Sequence, residues 1–165
     1  MSFRAERKYI MVLWLLLAIL IIVFDQAVKL WVINNIGATD SIKAIPGVID
    51  FVNVKNTGAA FSFLSEKSYG ILILSIVSVL FCIGVVIYVI KKRPKNKLLM
   101  FSLSLMLAGA LGNAIDRIAR GFVIDFIETK FISFPVFNIA DISITVGAVL
   151  LIIYVLFFET GKSKE

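Results

Sequence analysis

The sequence predicts an all-α membrane bundle of four transmembrane helices with a small β-sheet on the outer side of the bilayer, between the first and second helices. Three observations predict it. Hydrophobic residues make up 60% of the 165 residues and fall in four long blocks. The mean hydropathy is +0.99, whereas soluble domains are nearer half apolar. The basic residues behind the +6 net charge flank the blocks instead of gathering in one patch. One domain, residues 1–165, is the natural reading for this length.

The apolar blocks span about residues 9–33, 69–90, 98–115 and 139–158. A hydrocarbon core of ~30 Å needs about 20 helical residues, so each block is long enough to cross. Arg4, Arg7 and Lys8 ahead of the first block imitate a secretory signal peptide. No small-residue cleavage site follows, and the block leads into Phe24-Asp25-Gln26-Ala27-Val28-Lys29, so a retained helix is expected.

Orientation follows from the flanks. The N-terminal tail, the Lys91–Lys97 connection and the C-terminal tail together carry ten of the 17 Lys and Arg residues. Excess basic charge marks the cytoplasmic side, which places both termini there. The connection after the first block and the one from Asp116 to Phe137 then face outward.

The first outer connection, about residues 42–64, reads as strand. Gly47-Val48-Ile49-Asp50-Phe51-Val52-Asn53-Val54-Lys55 is β-branched and aromatic, after a turn signal at Pro46-Gly47. Val48, Val52 and Val54 fall on one face; Phe51, Asn53 and Lys55 fall on the other. Residues 59–64 are a candidate partner strand. The sheet is expected to rest on the membrane surface.

Composition excludes much chemistry. Histidine is absent, and Cys82, the single cysteine, sits inside the second block as a small buried hydrophobe. Ser-His, Cys-His and His-ligated zinc mechanisms are therefore out. Nucleic-acid binding needs a basic groove with aromatic platforms, and the basic residues here mark topology instead.

Ionisable residues at the ends of spans are costly and each needs a reason. Asp25 and Lys29, at i and i+4, can pair on one helix face. They read equally as a snorkelling interfacial anchor or as organisers of a site. Gly109, Gly112, Asn113, Asp116 and Arg117 form a small-then-polar stripe on one face of the third helix, directed into the bundle. Asp116 and Arg117 could be a terminal ion pair; Asn113, a turn deeper, is harder to dismiss. Asp125 stands alone between Ile124 and Phe126. Asn138 is a candidate N-cap for the fourth helix, with Asp141 at N3, where the helix dipole favours an acid.

Either aspartate alone reads as structural. Together, with other nucleophiles and bases missing, Asp125 and Asp141 point to a site. Two carboxylates a few ångströms apart share a proton near neutrality, so one can activate water while the other donates to a peptide carbonyl. A rival reading is a small transporter or proton-conducting protein, since intramembrane acids mark ion paths. That reading predicts acids at several depths and broken helices, whereas these acids cluster at the outer level. A structural membrane subunit leaves Asp125 and the Gly112-Asn113 stripe unexplained.

Five motifs in order carry a resemblance: Asp25-Gln26-Ala27-Val28-Lys29, Asn56-Thr57-Gly58-Ala59-Ala60-Phe61, Gly112-Asn113-Ala114-Ile115-Asp116-Arg117, Val123-Ile124-Asp125-Phe126, and Phe137-Asn138-Ile139-Ala140-Asp141. Together they resemble the bacterial lipoprotein signal peptidases, or signal peptidase II. The resemblance implies four helices with an extracytoplasmic β-cradle, in the bacterial cytoplasmic membrane. It implies Asp125 and Asp141 as the catalytic dyad, and Asp25, Lys29, Asn56, Gly58, Asn113, Asp116, Arg117 and Asn138 as residues that shape the pocket or bind substrate. The implied substrate is a diacylglyceryl-modified prolipoprotein, met beside membrane phospholipid and cut before its lipidated cysteine. Globomycin-like cyclic peptides are the implied inhibitors. No metal or cofactor is implied, and a site complete within one chain lets a monomer work.

Overall fold

The computed structural model of the chain describes residues 3–58 and 69–159, with residues 3–10 as backbone only. The candidate strand at residues 59–64 lies outside the described residues. In chain order the elements are α1 (Phe3–Asn35), β1 (Ser41–Ile45), β2 (Ile49–Asn56), α2 (Gly70–Lys92), α3 (Lys97–Arg120), β3 (Val123–Thr129) and α4 (Ile139–Tyr154). A π-helical turn, Val155–Glu159, extends α4. Among the described residues, four helical stretches are long and apolar enough to span: Met11–Asn35, Gly70–Lys92, Lys97–Arg120 and Ile139–Glu159.

The third helix outruns its predicted end at residue 115 by more than a turn. Ile115-Asp116-Arg117-Ile118-Ala119-Arg120 remains helical until Gly121, which adopts φ +77° and caps the last turn through its N–H to the Arg117 carbonyl. Helices continue until a residue that accepts the left-handed conformation stops them, and apolar content alone does not show that point. At the other end, the Asn96 side chain accepts from the Leu99 N–H at 3.1 Å, an N-cap that fixes where α3 begins.

α3 is the most buried of the four helices and packs against the other three. α1, α2 and α4 turn Leu13, Leu20, Leu72, Leu80 and Ile152 outward, all of them exposed. Apolar helices with bare outer faces are stable where lipid covers them. Small residues bring the backbones together at the crossings. A Cβ on Gly109 would collide with the Ala140 carbonyl of α4. One on Gly147 would lie 2.6 Å from Met106 Cγ and 2.8 Å from the Ser102 carbonyl.

The predicted sheet is present, and it takes a strand that the sequence reading did not assign. β1, β2 and β3 lie in that order, all antiparallel. β1 and β2 are joined by the Pro46-Gly47 turn. Val48 N–H bonds the Ile45 carbonyl at 2.9 Å and Gly47 has φ +74°, the geometry of a Pro-Gly type II turn. β3 comes from the α3–α4 connection, so the sheet is not confined to the segment between α1 and α2. A register shift between Phe51 and Val54 interrupts the simple alternation expected along β2. Phe51 packs against the buried cluster of Val32, Ile36, Ile124 and Phe126, while Val54 is exposed. That cluster seats the sheet on the end of α1.

Candidate active site

Asp125 lies on β3 opposite Val54, and Asp141 lies in the first turn of α4. Asn138 connects them. As N-cap of α4, its side-chain oxygen accepts from the Asp141 N–H at 2.9 Å, and its own backbone N–H donates to Asp141 Oδ2 at 3.1 Å. This is a reciprocal capping box. With its oxygen committed to the cap, the Asn138 amide nitrogen points the other way and donates to Asp125 Oδ1 at 2.7 Å. Asn138 is fully buried and Asp125 is 2% exposed.

Two more asparagines follow the same logic. Lys29 Nζ, a pure donor, contacts Asn113 Oδ1 at 3.1 Å, which leaves the Asn113 amide nitrogen to donate to Asp141 Oδ1 at 2.8 Å. Asn56 ends β2 with an Asx turn: its Oδ1 accepts from the Gly58 N–H at 2.8 Å, and its amide nitrogen donates to Asp125 Oδ2 at 2.8 Å. A backbone N–H or an ammonium cannot accept a hydrogen bond, so each amide has one workable orientation. All four carboxylate oxygens of Asp125 and Asp141 thus receive an N–H.

A buried ionic cluster lies beneath the two aspartates. Lys29 Nζ sits 2.8 Å from Asp25 and 2.9 Å from Asp116, with all three side chains essentially inaccessible. A snorkelling anchor would show an exposed ammonium, and Lys29 shows none. Asp25 also accepts from the Ala140 N–H at 3.1 Å, one residue before Asp141. Asp116 accepts from the Ile124 N–H at 3.2 Å, one residue before Asp125. The cluster is therefore tied directly to the backbone on either side of the site.

Asp116 does not pair with Arg117. Neighbouring helical residues point about 100° apart; Asp116 reaches Lys29 and Gln26 of α1 and the Ile124 N–H of β3, whereas Arg117 reaches Gly58, just past β2. Asp116 pairs with Arg120 as well as Lys29. Arg117 donates to the Gly58 carbonyl at 3.2 Å and lies within electrostatic reach of Asp141, Asp125 and Asp116. Two participants were not singled out from sequence. Gln26 donates to the Gly112 carbonyl and to Asp116, at 3.2 and 3.1 Å, and Arg120 donates to Gln26 Oε1 at 3.1 Å. The available signal was a Gln directly after Asp25, near the outer end of the first apolar block, and a second Arg one turn beyond Asp116.

Burial pushes the Asp125 carboxyl up to about 6, opposed by the hydrogen bonds from Asn56 and Asn138 and assisted by the nearby charge of Asp141. A carboxyl poised there can give or take a proton near neutrality. The arrangement holds two carboxylates in fixed orientation, with a donor on every oxygen, at the end of a bundle of spanning length.

The family model for signal peptidase (SPase) II matches residues 17–157. A lipoprotein signal peptidase from Streptococcus thermophilus is 42% identical over 139 residues, covering 84% of this chain and 88% of its own length. One from Staphylococcus aureus is 37% identical over 162 residues, covering 97% of each chain. Two solved bacterial membrane enzymes share the fold. One has a TM-score of 0.84 at 36% identity, covering 92% of each chain. The other has a TM-score of 0.79 at 37% identity, covering 88% of this chain and 93% of its own.

Proposed function

The chain belongs to the signal peptidase II family, and on that premise we propose that it is an aspartyl endopeptidase that removes the signal peptide from diacylglyceryl-modified prolipoproteins. The observation that carries the reading is Asn138, which binds Asp125 and caps the helix turn that holds Asp141. It supports a dyad acting on one substrate bond.

In this reading one carboxylate, ionised, takes a proton from water as the water oxygen attacks the scissile carbonyl. The other, protonated, donates to the carbonyl oxygen. The tetrahedral intermediate collapses as the carboxyl that took the water's proton passes it to the amide nitrogen, the other carboxylate takes a proton back from a hydroxyl of the intermediate, and the C–N bond breaks before the lipidated cysteine. Each carboxylate thus returns to the state in which it began. Asn56, Asn113 and Asn138 hold the oxygens still, Lys29 fixes Asn113, and Arg117 with Gly58 borders the pocket.

The protein is a multi-pass bacterial membrane protein, with one integral membrane domain in this reading. The basic flanks support cytoplasmic termini and a site at the extracytoplasmic face, where a lipid-anchored substrate diffuses past. The test is cleavage of a diacylglyceryl-modified lipobox peptide by purified protein in detergent. Asp125→Asn and Asp141→Asn should each abolish cleavage with the fold retained, and the unmodified peptide should be a poor substrate. Full activity in both variants overturns the dyad.

A further inference from the structure

We propose that Arg120 and Gln26 are positioning residues for the cleavage: together they lock the Asp116 carboxylate against the free edge of β3 and so set where Asp125 stands relative to Asp141. The inference rests on the dyad reading above and extends it to two residues that bond to neither Asp125 nor Asp141.

β3 is an edge strand, since the sheet runs β1-β2-β3. An edge leaves backbone N–H and C=O groups without a ladder partner, and buried ones must find another. Ile124, fully buried, finds both in side chains. Its N–H donates to Asp116 Oδ2 at 3.2 Å, and its carbonyl accepts from the Asn138 amide at 3.3 Å. Asp116 thus stands in for a missing strand at the residue directly before Asp125.

A carboxylate can hold a strand edge only if it does not turn, and torsions of this type are soft in themselves. Here the two oxygens of Asp116 are held from different sides. Oδ2 takes the Ile124 N–H and, at 2.9 Å, Lys29 Nζ. Oδ1 takes Gln26 Nε2 at 3.1 Å and Arg120 Nη1. An enclosed oxygen stripped of its donors is costly. Without Gln26 and Arg120 the carboxylate swings to share Lys29 between its oxygens, and the Ile124 N–H loses its acceptor.

Arg120 also orients Gln26. Gln26 Oε1 accepts from Arg120 Nη1 at 3.1 Å, so the amide nitrogen faces Asp116 Oδ1 and the Gly112 carbonyl, at 3.1 and 3.2 Å. A guanidinium cannot accept a hydrogen bond, which leaves the amide one workable orientation. Charge gives a second reason. Asp25 and Asp116 are buried around a single enclosed cation, Lys29, and Arg120 supplies the second positive charge. Its side chain is 20% exposed, so it reaches the cluster from the rim and can be replaced without opening the core.

The test combines steady-state cleavage of the diacylglyceryl-modified lipobox peptide with backbone amide exchange. In Arg120→Met and in Gln26→Met, kcat should fall by roughly 10-fold with KM within about twofold, a fraction of the ~100-fold that a displacement of about 1 Å costs and the pattern of a change felt only in the transition state. The double variant should lose little more than either single one, because both residues hold the same oxygen. Arg120→Lys should keep kcat near native: both contacts of Arg120 come from one nitrogen, which an ammonium can replace where no fork is needed. Amide exchange across residues 122–127 should quicken several-fold in Arg120→Met, while exchange across residues 70–92 stays native. Native kcat in Arg120→Met and Gln26→Met overturns the proposal. So does a raised KM with kcat kept, which would mean substrate contact, and so does unchanged exchange across residues 122–127. The exchange arm is read equally well in an Asp125→Asn, Asp141→Asn protein, so it decides the positioning role even where the dyad chemistry fails.

Discussion

The side-chain amide of Asn138 donates to Asp125 Oδ1 at 2.7 Å from the N-cap position of α4. Asp125 is thereby tied to the start of the helix that carries Asp141, so a residue with an ordinary structural job also fixes the geometry between a strand and the helix that follows it.

Those two jobs are separable. Asn138→Ala should lose both, costing about 1 kcal/mol of stability for the cap and one to two orders of magnitude in turnover, from ~1.5–3 kcal/mol for a bond to a charged group. Asn138→Ser keeps a capping oxygen and loses the amide donor. Its thermal midpoint should return toward that of the native protein while its kcat stays low. Recovery of kcat along with stability would reduce Asn138 to a cap.

Asp125 should make stability fall with rising pH. Its carboxyl is held at about 6 by burial, above the ordinary 3.8. Between those values the folded chain keeps a proton that the unfolded chain has lost, so the folded state is favoured at low pH. That advantage drains away as pH rises through about 6, by ~3 kcal/mol in all. Asp125→Asn removes this slope. Thermal unfolding in detergent at pH 4 and pH 7 should therefore show the variant gaining on the native protein toward pH 7; a constant difference argues against the raised carboxyl.

Asn56 pulls the same carboxyl down through its 2.8 Å bond. Asn56→Ala removes that pull, so the pH–rate inflection belonging to Asp125 should move to higher pH. A profile that only scales in height, with its inflection unmoved, would assign Asn56 to substrate contact instead.

The helices were legible because lipid exposure imposes long apolar runs, and the Pro46-Gly47 turn and the Asn138–Asp141 cap were legible because their chemistry is local. β3 was not. Val123, Ile124, Asp125 and Phe126 are all buried, so the strand shows no alternation, and its polar member drew attention as a site residue first. The role of Gln26 was hidden for a different reason: it acquires its partners on α3 only where α1 crosses that helix, and Arg120, which pairs with Asp116 on its own helix, meets Gln26 only there. Asp116 and Arg117 show the limit of helical spacing, which placed both on one broad face while their actual partners lie on different elements.

Lys29 should be essential to the fold and Asn113 to the chemistry. Lys29→Met leaves Asp25 and Asp116 buried beside each other with the central cation gone, and removing one partner of a buried pair costs about 3–5 kcal/mol. Lys29→Arg should not rescue it, because the slot is fully enclosed and a planar guanidinium does not fit the space of an ammonium. Asn113→Asp can still accept from Lys29, yet turns an acceptor toward Asp141. It should fold and lose turnover by at least about 100-fold, consistent with loss of a charge-assisted bond and added repulsion. Thermal unfolding and single-turnover cleavage separate the two outcomes.

Gly109→Ala tests whether the site depends on how closely α3 and α4 approach. The added Cβ meets the Ala140 carbonyl and Ile144 Cγ1. The carbonyl is backbone within the first turn of α4, so the helix itself must move. Ala140 also donates its N–H to Asp25, and Asp141 follows it, so displacement reaches the carboxylate directly. A shift of about 1 Å at a catalytic group can cost ~100-fold in rate. Helical content should stay near native while kcat falls by that order. By contrast, Gly84→Ala, where a Cβ finds open space, should leave turnover unchanged. Equal activity in the two variants would mean that α4 tolerates the displacement and that the small-residue crossing serves packing alone.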